Sequence, residues 1–111
     1  MLEYLFANKN VEKILMYLSI HGKANASELS HSFKSSLDPI QKTLKKLEEG
    51  GLLVSFLEGR TRVFQWNTRY PFLPEIVSLA EKAFGFLPVT IQETCYQSIK
   101  RKRPRKTGKP L

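Results

Sequence analysis

The stretch NASELSHSFKSSLDPIQKTLKKLEEGGLLVSFLEGRTR, running from Asn25 to Arg62, decides the fold. It opens on Asn25-Ala-Ser-Glu28, a capping-box pattern with an amide at the cap and a carboxylate three residues on. Ala26, Leu29 and Phe33 then fall on one face, which predicts a short helix over about 26–33. Lys34-Ser-Ser-Leu37 is polar enough for a turn, with Leu37 left to plug the core. Asp38-Pro39-Ile40-Gln41 is the clearest helix start in the chain: Asp38 suits the cap, Pro39 the first helical position, and Gln41 completes the box. Ile40, Thr43, Leu44 and Leu47 line one face of a helix over 38–50, and Gly50-Gly51 ends it.

Two runs rich in β-branched and aromatic residues follow, Leu52 to Leu57 and Thr61 to Trp66. Glu58-Gly59-Arg60 lies between them, with Gly59 free to take positive φ, so the segment 52–66 predicts a β-hairpin. Upstream, Val11, Ile14, Leu15 and Leu18 recur at helical spacing and predict a first helix over about 8–21. Asn8 or Asn10 is placed to cap it and Gly22 to end it. Downstream of the Pro-punctuated stretch Asn67 to Pro74, the apolar Ile76, Ala80, Ala83, Phe84 and Leu87 stripe a further helix over about 72–86. Residues 88–99 carry enough apolar side chains for one more short helix. The expected class is mainly α with a small β-hairpin (α+β), in the order of a winged helix-turn-helix. Residues 1–87 would form that domain, and 88–111 a basic C-terminal extension, largely flexible.

The formal net charge is +8 over 111 residues, which points to a polyanionic partner. It is unevenly placed: Lys100, Arg101, Lys102, Arg103, Arg105, Lys106 and Lys109 stand against Glu93 alone in residues 88–111. The tail therefore supplies most of the field. Lys100 to Lys106 fit phosphate tracking, on DNA or on RNA.

In a helix-turn-helix, the second helix enters the major groove. The side of helix 38–50 away from its apolar stripe presents Asp38, Lys42, Lys45, Lys46 and Glu49, with Gln41 at the flank. Gln41, Lys42 and Lys45 are the expected base readers, since Gln pairs with adenine edges and Lys with guanine or phosphate. Lys34, Ser35 and Ser36 in the turn, and Arg60 and Arg62 in the wing, are expected on phosphate or in a minor groove.

The run Leu44-Lys-Lys-Leu47-Glu-Glu-Gly50-Gly51-Leu52-Leu53-Val54, followed by Glu58-Gly59-Arg60-Thr61-Arg62-Val63-Phe64, resembles the ArsR-like winged-helix family of bacterial and archaeal transcriptional regulators. Asn67 to Glu75 is similar to a sub-branch often found beside nucleotidyltransferases. The resemblance implies a sequence-specific regulator, a repressor of its own promoter, acting on double-stranded DNA as a homodimer. Leu2, Leu5, Phe6 and the Ile76, Ala80, Ala83, Phe84 face would then either join two copies or complete one core. The sub-branch also implies a nucleotidyltransferase partner, so an antitoxin-like interaction protein is one alternative; an RNA-binding protein anchored by its tail is another.

Metal-sensing members of that family carry paired cysteines or His and carboxylate clusters. Here Cys95 stands alone and His21 and His31 are ten apart, so no metal and no cofactor are expected. The residues show no phosphate loop and no nucleophile-base pair, which argues against an enzyme. One cysteine precludes an internal disulfide and fits a reducing cytosol. The opening Met1 to Phe6 lacks the basic region of a signal peptide and no run has membrane-span length, so a cytoplasmic, nucleoid-associated protein with no membrane contact is expected.

Overall fold

A computed structural model describes residues 3–6 and 8–96 of the chain. Along it run α1 (Glu3–Phe6), α2 (Lys9–His21), β1 (Lys23–Asn25), α3 (Ala26–Phe33), α4 (Leu37–Glu49), β2 (Leu53–Glu58), β3 (Thr61–Trp66), α5 (Leu73–Gly85) and α6 (Val89–Tyr96). The class is α+β, with helices packed against a three-stranded antiparallel sheet of order β1-β3-β2.

α2 is the central strut. The Asn8 side chain accepts from the Asn10 N–H at 2.8 Å, and Gly22 closes the helix at φ 84°. Ile14, Leu15, Met16, Tyr17 and Leu18 are all buried, so its middle is covered all round rather than along one stripe. It packs on α5, α4, α3 and β1.

The short α3 stands on its capping box. Asn25 Oδ1 accepts from the Glu28 N–H at 2.8 Å, and Glu28 Oε1 accepts from the Asn25 N–H at 2.9 Å. Lys34 ends the helix in the left-handed region at φ 52°.

α4 begins earlier than its local signals suggest. Ser36, not Asp38, is the N-cap, and its side chain makes no cap hydrogen bond. Asp38 and Pro39 lie inside the first turn, where Pro39 removes an N–H that has no helical acceptor in any case. The box expected between Asp38 and Gln41 is therefore replaced by an exposed ion pair, Asp38 to Lys42 at 3.1 Å. Leu37, starting the helix, does not plug the core; it is 40% exposed. Ile40, Thr43 and Leu44 are buried as expected.

The hairpin closes on Gly59 and Arg60 alone, because Glu58 already pairs with Thr61. Gly59 takes φ 65° while Arg60 stays out of the positive-φ region, the sign pattern of a type II′ turn. The sheet also holds a third strand: Lys23, Ala24 and Asn25 pair with Gln65, Phe64 and Val63. Ala24, Leu53 and Phe64 share the face that joins the core.

The core continues past residue 87. Tyr96 on α6 is 3% exposed, with its ring 5.3 Å from those of Phe33 and Phe84, and its carbonyl bonds to His21 Nε2. Ala80 and Ala83 are buried within this single chain, whereas Leu5 is exposed. Leu2 lies outside the described residues.

Candidate nucleic-acid interface

α4 turns its apolar stripe inward and leaves Gln41, Lys42, Lys45 and Lys46 exposed. Its neighbours divide that polar surface between two grooves. The first, of about 550 Å³, lies between the start of α3, α4 and the hairpin. Gln41, Lys45 and Glu48 form one wall, Arg60 and Arg62 the second, and Asn25, Ala26 and Ser27 the third. Positions 41, 45 and 48 converge because they are three or four residues apart on a helix.

A helix leaves its first N–H groups without helical acceptors. The capping box engages those of Asn25 and Glu28. Ala26 and Ser27, between them, also line the groove, at the positive end of the α3 dipole.

Arg62 is held in this groove by its neighbours. Its guanidinium donates to Ser55 Oγ at 3.0 Å, and that hydroxyl donates to Glu48 Oε2 at 2.6 Å. One serine thus connects the hairpin to α4. Glu48 and Ser55 escape sequence reading, because their meeting depends on how the hairpin docks on α4. The helical spacing of Gln41, Lys45 and Glu48 was the only legible sign.

The second groove, about 430 Å³, lies between α4 and the start of α2. Lys42, Lys45 and Lys46 face Asn8 and Asn10 across it, with Pro39, Thr43 and Glu49 completing the lining. The structure therefore separates Lys42 and Lys46 from Gln41 and the two arginines, while Lys45 borders both grooves.

The turn residues are distributed differently. Lys34 and Ser36 are exposed, but Ser35 is half-buried; its carbonyl accepts from Ser30 Oγ and its hydroxyl donates to the Phe33 carbonyl at 3.4 Å. Lys100, Arg101, Lys102, Arg103, Arg105 and Lys106 lie outside the described residues.

No protein-family model, curated protein or solved structure matches the chain.

Among the described residues no group of three or more His, Cys, Asp or Glu side chains is placed to hold a metal ion. No described helix is long and apolar enough to cross a membrane. A groove bordered by Gln41, Lys45, Arg60 and Arg62, with Glu48 as its one carboxylate, is chemically suited to bind an extended polyanion.

Proposed function

We propose that this chain is a winged helix-turn-helix DNA-binding regulator of the ArsR-like kind. In this reading α3 and α4 are the helix-turn-helix, the β2–β3 hairpin is the wing, and α4 enters the major groove of double-stranded DNA. The observation that carries it is the convergence of Gln41, Lys45, Arg60 and Arg62 on one groove beside the start of α3.

Gln41 and Lys45 carry base readout on the hairpin side of α4, and Arg60 at the hairpin tip contacts the backbone or a minor groove. The basic tail adds affinity that does not depend on sequence. By its resemblance to that family, the regulator would act as a homodimer on a palindromic operator and repress its own promoter.

Fluorescence anisotropy tests this directly. The probes are a labelled duplex from immediately upstream of the coding sequence and a scrambled duplex of equal length. Both the intact chain and a chain ending at Ile99 are titrated at two salt concentrations. A preference for the upstream duplex that survives loss of the tail supports the reading. Equal binding to both duplexes, abolished with the tail, refutes it and favours an RNA or protein partner. Gln41→Ala and Lys45→Ala should each reduce the preference by about 1–3 kcal/mol. Arg60→Ala should weaken both duplexes alike.

A further inference from the structure

Of the residues lining the groove between α4 and the start of α2, only Lys45 has a role in the reading above. Much of the groove's wall is apolar, but three lysines border it, and a lysine covers apolar surface with its stem while its charge stays in water. Lys42, Lys45 and Lys46 border it on the α4 side and Asn8 and Asn10 on the α2 side, with Pro39 and Thr43 also in the lining. Asn8 Oδ1 is already committed to the Asn10 N–H. The lysines are not locked in place: Lys42 pairs with Asp38, but both side chains are more than 70% exposed, and such a pair is worth little in water.

We infer that this groove is a second backbone-binding strip, which receives the phosphates of one strand of a DNA duplex while the arginines of the hairpin meet those of the other. The inference rests on the proposed function. An α-helix with its side chains is about 10–12 Å across, and the major groove of B-DNA is about 12 Å wide. A helix that fills the groove therefore has a sugar-phosphate wall on each side. The two sides of α4 carry different cations: Arg60 and Arg62 of the hairpin on one, Lys42 and Lys46 toward α2 on the other, with Lys45 between them.

Two consequences follow. Lys42, which the sequence marks as a base reader, belongs to the backbone. Glu49, at the far end of the same groove, confines the phosphate to the part bordered by Lys42 and Lys46, because a second anion beside its carboxylate is repelled.

The test uses the full chain and the same two duplexes, with anisotropy measured from low to high potassium chloride. Wild type is compared with the double variant Lys42→Ala/Lys46→Ala and with Gln41→Ala. Both lysines are exposed, and circular dichroism checks that the fold persists. Two lost phosphate contacts should reduce the slope of log affinity against log salt by about two. Between 50 and 200 mM salt, wild type should then lose about tenfold more affinity than the double variant. The ratio between the two duplexes should stay unchanged in the double variant and fall in Gln41→Ala.

An unchanged slope in the double variant overturns the strip and leaves the regulator reading standing. A collapse of the duplex ratio in the double variant also overturns it, since these lysines would then read bases. If wild type binds neither duplex, both inferences fall together.

Discussion

Arg62 on β3 and Glu48 on α4 form no direct ion pair, yet one hydroxyl ties them together. Ser55 Oγ accepts from the Arg62 guanidinium at 3.0 Å and donates to the Glu48 carboxylate at 2.6 Å. The carboxylate draws the serine proton toward itself and leaves the oxygen lone pairs for the arginine. The hairpin is thereby oriented on the helix, and Arg62 is presented in the hairpin-side groove in a preferred direction.

Removing that bridge should therefore be felt in two places. Ser55→Ala is expected to cost about 0.5–1.5 kcal/mol of stability, toward the low end because Arg62 is exposed. In urea titrations, the effects of Ser55→Ala and Arg62→Ala should add to more than the double variant shows. Strict additivity would mean that the serine transmits nothing between α4 and the hairpin.

The capping box is a separate support. Asn25→Ala strips the acceptor for the Glu28 N–H and breaks the reciprocal arrangement at the start of α3. The loss should be about 1 kcal/mol, seen as a lower urea midpoint at an unchanged slope. Asn25→Asp, which keeps an acceptor at the cap, should recover most of it.

Tyr96 tests whether α6 belongs to the folded unit. Its ring sits among Tyr17, Phe33 and Phe84. Tyr96→Ala should destabilise the chain by about 3–5 kcal/mol, as expected for truncating a buried aromatic side chain. That is a large part of the total for a domain of this size. Thermal unfolding of the full-length variant gives the value; a cost below about 1 kcal/mol would make α6 an ornament on a core complete without it.

Alkaline pH probes the same region. Burial, then the neighbouring Cys95 and Glu12, raise the Tyr96 hydroxyl pKa above the ordinary 10.0. Burial and the Glu28 carboxylate raise that of Tyr17. A group whose pKa is higher folded than unfolded holds its proton longer in the native state. Its full contribution is present below 10.0 and is lost as pH climbs through the folded value. Stability should therefore fall above pH 10.0, and less steeply in Tyr96→Phe, which has no proton to lose at that position. Parallel curves for wild type and Tyr96→Phe would contradict this.

What the sequence by itself determined lies within one turn or one hairpin. Asn25 and Glu28 are three residues apart, so their box needs no other part of the chain. Gly59 allows the hairpin turn by its freedom at positive φ, and the spacing of Ile40, Thr43 and Leu44 sets the buried side of α4. Tertiary structure decided the rest. Lys23 to Asn25 shows no strand pattern; it is a strand because β3 has a second edge some forty residues later, whose hydrogen bonds it satisfies. Ser36 starts α4 even though Asp38 and Pro39 carry the stronger local signals; Lys34 leaves α3 in a left-handed turn and Ser36 is extended before the new helix begins. The exposed face of α4 reads along the chain as one polar surface. It becomes two grooves only because α2 flanks one side and the hairpin the other, and helical periodicity carries no information about which neighbours a face will meet.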